Sequence, residues 1–456
     1  MTSRFSRRLR SAVAVVAIAA QAAAIAPPAA AFCGFYVAQA DAKLFNKASK
    51  VVLAWDNGKT AVTMASDYEG DPKEFAVVIP VPTFIERKQI GIVEMKTIDH
   101  LDAFTAPRLV EYHDPDPCAQ LVYKAQAAGS AIPAPPAELR LEVRQRGVTV
   151  EATYDVGEYD VSILSAKESG GLVEWLVDNG YKMPAGAEPV LASYIKQHMH
   201  FFIAKVNLDR MALAGDRFLR PLQVRYESKK FMLPLRLGTV NADGPQDLIV
   251  LALTRRGRVE TTNYRTVKLP TGMDVPLYVK DEFGKFYTAM FDRAVERQDM
   301  RAVFLEYAWD MGWCDPCAAD PLSRKEVAEL GARWIENDDD TPFRGGRAGD
   351  GTYVTRLHLR YDAAHFPEDL ALMETRDREN FQGRYVLRHP WVGAAECRAG
   401  DHYRDGLPQR FAQEAHALAD LTGWKVADIR LRMETTGQSF NSGATGLGPF
   451  LRRLFE

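Results

Sequence analysis

Two hydrophobic periods alternate along this chain, and the switches between them set its elements. Val51-Val52-Leu53-Ala54-Trp55 and Thr60-Ala61-Val62-Thr63-Met64 flank Asp56-Asn57-Gly58-Lys59. Asn-Gly between two strand-like runs predicts a hairpin, because both turn positions favour positive φ. Residues 75–79 predict a third strand, stopped by Pro80 and Pro82. A short helix is expected over 98–104, and strands over 139–143, 148–152 and 159–164. Leu172, Trp175 and Leu176 share one face of a helix over 171–179 that Gly180 caps. Pro189 opens a second helix, running to residue 197. Residues 198–206 read as a buried strand from their β-branched and aromatic content.

At least four strands are expected between residues 222 and 279, with turns at Asp243-Gly244 and Arg256-Gly257. A helix over 285–298, a strand over 302–309 and a helix over 323–334 follow. Strands at 353–360 and 384–387, a helix at 411–421, a strand at 428–433 and a Gly/Ser-rich tail complete the chain. Without a regular βαβ rhythm this is an α+β pattern, mostly antiparallel sheets with interspersed helices, in two or three domains. Composition divides it into a leader (1–31), a strand-rich segment (32–124), an Ala/Pro linker (125–137) and a central α+β segment (138–337). An acidic, glycine-rich loop (338–351) and a C-terminal α+β segment (352–456) follow.

The leader changes where the protein is placed. Arg4, Arg7, Arg8 and Arg10 precede an apolar run over 11–26, and Pro27-Pro28-Ala29-Ala30-Ala31 ends in small residues. That is a secretory signal, with cleavage expected after Ala31. The apolar run is too short for a comfortable membrane span, and Phe32 before Cys33 disfavours a lipid anchor. Ser6-Arg7-Arg8-Leu9-Arg10 partly resembles a twin-arginine signal, which leaves the export route open. Removing four arginines and no acid takes the formal charge from −3 to −7, no footprint for nucleic acid. No later run reaches spanning length, so no integral membrane segment is expected in the mature chain.

All five cysteines (Cys33, Cys118, Cys314, Cys317, Cys397) lie beyond the cleavage point. In an oxidising compartment they become disulfide candidates, and their odd number leaves one over. Cys314 and Cys317 are expected to pair. A second bridge joins two of Cys33, Cys118 and Cys397, in one of three ways. Trp313-Cys314-Asp315-Pro316-Cys317 follows a strand-like run and precedes a helix, the local layout of thiol–disulfide oxidoreductases. A structural bridge, a redox pair with Cys314 as nucleophile and Cys317 resolving, and a metal pair all stay open. His198 and His200 would share one face of a strand, which makes a metal site conceivable and a packed pair the simpler reading. No hydrolase elbow, phosphate loop, dinucleotide fingerprint or zinc-protease motif is present, and no cofactor is expected.

Cys33-Gly34-Phe35-Tyr36-Val37 and Asp41-Ala42-Lys43-Leu44-Phe45-Asn46 resemble the start of an uncharacterised family of exported bacterial proteins, DUF2330. Residues 75–82, 106–112, 114–118, 313–317 and 381–385 extend the resemblance. It implies export and brings no activity or site residue. The expected function is therefore binding or structural work in the cell envelope on an unknown protein or small ligand. A thiol–disulfide oxidoreductase and a metal-binding protein are the alternatives.

Overall fold

The computed structural model describes residues 29–30, 35–38, 45–69, 75–119, 149–181, 183–207, 209–210, 219–240, 242, 244–315, 317–335 and 351–440. The leader up to residue 28, Cys33, the linker and the strand expected at 139–143 lie outside them, as does nearly all of 338–351.

Ten strands form the main sheet. They are β1 (Ala29–Ala30), β3 (Phe45–Asp56), β4 (Lys59–Glu69), β6 (Ile90–Ile92), β11 (Leu222–Glu227), β13 (Gln246–Thr254), β15 (Arg265–Lys268), β16 (Ala302–Asp310), β17 (Tyr353–Tyr361) and β19 (Phe381–Gln382). The order is β15-β16-β17-β13-β1-β3-β4-β11-β6, with β19 beside β16 and β13 also pairing β3 directly. The β3–β4 hairpin turns on Asn57 and Gly58, both at positive φ. The sheet takes strands from all three globular segments of the sequence, so those boundaries do not separate sheets.

A second sheet runs β2 (Phe35–Ala38), β5 (Phe75–Val81), β10 (His200–Val206), β9 (Tyr159–Ser165), β8 (Thr149–Val156). Pro80 does not stop β5. It sits opposite Phe201, beyond Val78, the last residue that β2 pairs, at an end where a missing N–H is tolerated. Small sheets β12 (Met232–Leu233), β18 (Leu370–Glu374), β14 (Val259–Thr261) and β7 (Arg108–His113), β20 (Arg384–His389) complete the strands.

The helices are α1 (Met95–Thr105), α2 (Ser169–Asp178), α3 (Ala187–Lys196), α4 (Arg236–Val240), α5 (Phe283–Arg297), α6 (Arg324–Glu329), α7 (Arg398–Thr422) and α8 (Val426–Thr435). The two large sheets pack face to face through residues such as Leu53, Val62, Ile79, Phe202, Val250 and Leu357. Leu172, Leu176, Leu191 and Tyr194 cover the outer face of the second sheet with α2 and α3. On the far face of the main sheet, α1 and α6 pack over Val52, Leu251, Tyr307 and Trp309. Phe286, Phe291, Phe411 and Leu418 place α5 and α7 over Ala302, Phe304 and Tyr385. The result is an α+β fold with mostly antiparallel pairing.

Other elements also differ from the sequence expectation, among them the helix expected over 323–334, which ends at Glu329. Residues 428–433 lie in α8, not a strand. Ile429 and Met433, four apart, are buried, whereas Leu431 is 65% exposed. Helix α7 begins at Arg398, ahead of the expected start at 411, and continues through Pro408.

Candidate functional site

Cys314 and Cys317 are bridged, with Cα atoms 5.1 Å apart, on the loop after β16. No helix starts behind them. Helix α6 begins only at Arg324, where Ser323 and Glu326 form a capping box. The helix thus begins where the sequence places it, near residue 323, but a loop separates its N-terminus from the CxxC. A thiol at Cys314 would not face the unpaired N–H groups of a helix, the usual means of lowering its pKa. The loop is instead tied to α1. His100 Nδ1 meets Glu326 Oε1 at 2.8 Å, and His100 Nε2 meets the Asp320 carbonyl at 2.8 Å. Burial pulls the His100 pKa down, but the Glu326 and Asp320 hydrogen bonds outweigh it and hold it above the ordinary value. Beside the bridge, Trp313 is 40% exposed and its ring stands edge-on to Trp309, 4.8 Å away.

A second cluster forms where β7 and β20 run parallel, with His113 opposite His389. Their imidazoles stack at 4.4 Å with 8° between planes. Glu111, two residues before His113, accepts from His389 Nε2 at 2.8 Å and pairs with Lys280 at 2.7 Å. Asp114 accepts from Tyr403 at 2.6 Å and is paired with Arg410. The Tyr403 hydroxyl in turn accepts from the Trp391 backbone N–H at 2.8 Å. Cys118 is bridged to Cys397 across 279 residues, which ties the end of β7 to the start of α7. Between β20 and α7, the loop 390–397 is thus held at both ends.

The tip of that loop is apolar and open. Trp391 is 37% exposed and Val392 87%. The Trp391 indole lies against Gly393, so close that a Cβ there would sit 2.5 Å from the ring. Tyr112, on β7, is 44% exposed, and the Arg388 guanidinium lies 5.7 Å from its ring centre. An immobilised aromatic with a free surface costs little entropy when it meets a partner.

A third cluster is closed. The register of β16 against β17 shifts between Leu305 and Tyr307, so Glu306 is the extra residue of a bulge. It accepts from Arg356 Nε at 2.7 Å, from His358 Nδ1 at 3.0 Å and from the Tyr287 hydroxyl. Burial raises the Glu306 pKa, but His358 and Arg356 more than reverse this and bring it to about 2. Arg356 also pairs with Asp102 of α1, and Arg360 with Asp247 and with Asp292 of α5. The polar face of β17 is therefore an ionic seam that fastens helices to the sheet. Nothing there opens to a substrate, so we assign it to the fold.

A family model described as an uncharacterised protein conserved in bacteria (DUF2330) matches residues 27–373. The chain belongs to this family. No curated protein and no solved structure matches it. The DUF2330 match contains Cys118, both CxxC cysteines and the seam residues Glu306, Arg356 and His358. His389, Trp391 and Cys397 follow its end.

In this DUF2330 protein His198 and His200 do not share a strand. His198 sits at φ +59 in the turn after α3, and β10 starts at His200. His200 is half-buried, 3.8 Å from Glu151, and burial lowers its pKa. Among the described residues no group of three His, Cys, Asp or Glu could hold a metal ion. In sequence His113 and the His389-Pro390-Trp391 stretch are too isolated from one another to nominate as a site. They lie some 280 residues apart, and only the β7–β20 pairing and the Cys118–Cys397 bridge unite them.

Proposed function

We propose that this DUF2330 protein is exported, with its leader removed near Ala31, and works in the cell envelope by binding. The carrying observation is the Trp391-Val392 tip, an exposed apolar knob on a loop fixed by the Cys118–Cys397 bridge. Rigid aromatic anchors on stapled scaffolds are how binding surfaces concentrate their energy. A disulfide that joins distant segments suits an oxidising compartment, which supports export. Among the described residues no helix is long and apolar enough to cross a membrane.

The test has two parts. Mass spectrometry of the protein from an expressing cell reads the N-terminus and the Cys118–Cys397 linked peptide in the periplasmic fraction. An intact leader in the cytoplasm sinks the export reading. A photo-crosslinking residue at position 392 reads contact, and a saturable adduct that Trp391→Ala abolishes is expected. Adducts that never saturate, or that ignore Trp391, sink the binding reading.

A second reading is a thiol–disulfide oxidoreductase through Cys314 and Cys317. The exposure of Cys317 beside Trp313 favours it. It requires a Cys314 pKa well below about 8.5, measurable by alkylation rate against pH after mild reduction.

A further inference from the structure

We infer that Cys118–Cys397, and not the CxxC, is the bridge of this protein that exchanges with thiols, by attack on Cys118 with Cys397 as the leaving sulfur. The inference goes beyond the binding reading and stands whether or not the Trp391 tip meets a partner. It competes with the CxxC reading, and one experiment separates the two. Two observations carry it, the helix behind Cys397 and the exposure of Cys118.

The helix comes first. Cys397 is the N-cap of α7, a helix of 25 residues, and its Sγ accepts from the Gly400 backbone N–H at 3.3 Å. That N–H is one of the donors a helix start leaves unpaired, and it points at the sulfur that takes up charge when the bridge opens. The hydrogen bond strengthens as the sulfur becomes a thiolate, which lowers the thiol pKa and makes Cys397 the better leaving group. Glu396 and Arg398 flank Cys397 with opposite charges and offset each other, so the helix end decides the balance. The CxxC has the contrary setting. Cys314 packs against the cluster of Trp309, Met311 and Leu322, and an apolar setting raises a thiol pKa.

Exposure comes second. Cys118 is exposed, whereas Cys397 is half-buried, so an incoming thiolate reaches Cys118. Asp116 lies beside Cys118, its Oδ1 accepting from the Cys118 backbone N–H at 2.8 Å, and its charge disfavours a thiolate at that position. Both settings give the bridge the same polarity. The thiolate sulfur bonds to Cys118 Sγ, the Cys118–Cys397 bond breaks, and its electron pair leaves on Cys397 Sγ. A second thiolate then attacks the mixed disulfide. Cys118 leaves as a thiolate, and the two attacking thiols depart joined as their own disulfide. Two electrons pass from the thiols, which are oxidised, to the bridge, which is reduced.

The experiment exposes the full mature chain to reduced glutathione near neutral pH without denaturant. Samples are quenched with acid at graded times, alkylated and mapped by mass spectrometry. The Cys118–Cys397 linkage should be lost at least about tenfold faster than Cys314–Cys317, with the first glutathione adduct on Cys118. Equal loss of both bridges, faster opening of the CxxC, or a first adduct on Cys397 overturns the inference. A second measurement reads each leaving sulfur by itself, as alkylation rate against pH. Cys397 in Cys118→Ser should give a midpoint below about 8.5, and Cys314 in Cys317→Ser a midpoint at or above it. A Cys397 midpoint above that of Cys314 also overturns the inference. If Cys118→Ser does not fold, the glutathione time course on the unaltered chain decides.

Discussion

Arg356 Nε donates to Glu306 Oε2 at 2.7 Å across neighbouring strands, and both side chains are buried. A buried pair of this kind is weak evidence for net stability, but removing one partner strands the other without solvent. Glu306→Ala or Arg356→Ala should each lose about 3–5 kcal/mol in urea unfolding. A loss below about 1 kcal/mol would mean that the seam relaxes and does not fasten the helices. Replacing both by apolar residues should cost less than either single change. The Glu306 pKa of about 2 lies below its ordinary 4.5, so its contribution is complete above pH 4.5 and drains away as pH falls toward 2.

Glu414 should act in the opposite direction. It is buried on α7, accepts from Gln438 at 2.7 Å, and its other oxygen lies 3.5 Å from Arg410 Nε. Burial raises its pKa to about 7. The folded state thus holds a proton that the unfolded state releases near 4.5. Stability should fall between pH 4.5 and 7, by up to about 3 kcal/mol. Glu414→Gln should flatten that part of the profile. An equally steep decline in the variant would exclude Glu414 as its source.

The His100–Glu326 tie has its own window. His100 is raised above its ordinary 6.5 and Glu326 lowered below its ordinary 4.5, the latter because His100 and Ser323 outweigh burial. The His100 contribution is whole below 6.5 and fades as pH rises past the raised value. That of Glu326 is whole above 4.5 and fades as pH drops. His100→Gln should therefore cost most between about pH 4.5 and 6.5, on the order of 0.5–1 kcal/mol. Melting curves of both proteins at pH 4, 5.5 and 8 check this, and a cost independent of pH would contradict it.

The two bridges should differ in stability. Cys314–Cys317 closes a loop of a few residues, whereas Cys118–Cys397 spans 279. The chain-entropy model gives roughly 2 kcal/mol for the first and roughly 5 kcal/mol for the second. Calorimetry of the Cys314→Ser/Cys317→Ser and Cys118→Ser/Cys397→Ser variants compares them. A larger loss from the first pair would show that it braces the loop beyond its entropy.

Gly393→Ala should dislodge the Trp391 indole, since the added Cβ would meet the ring at 2.5–2.9 Å. The backbone there needs no unusual φ, so melting should shift by less than about 1 °C for an exposed site. Crosslinking from position 392 should fall as far as it does in Trp391→Ala. Full retention would mean that the indole is not held where Gly393 puts it.

The hairpin at Asn57-Gly58 and the helices over 95–105 and 283–297 were legible because local chemistry alone decides them. The strand reading of 428–433 failed because Ile429, Leu431 and Met433 alternate with polar residues. Only packing against α7 reveals that two of the three face inward at helical spacing. The seam was hidden for a related reason. Arg356, His358 and Arg360 make β17 look like a half-exposed strand, yet helices cover that face and bring Asp102 and Asp292 to it, while the flanking strands supply Glu306 and Asp247. The Trp391 tip required a parallel pairing of strands far apart in sequence, which no local pattern encodes.

The span of the Cys118–Cys397 bridge also fixes an order of events. A chain made N-terminus first delivers Cys118 279 positions ahead of its partner Cys397. At roughly 5–20 residues per second that is a wait on the order of tens of seconds. Cys33 precedes it, and Cys314 and Cys317 both emerge before its proper partner. For most of that interval Cys33 is the one wrong sulfur on offer, and Cys314 and Cys317 join it shortly before the right one. Closure of the CxxC on itself, over the shortest loop available, withdraws two of them before Cys397 arrives. The small bridge would then act as a chaperone for the large one.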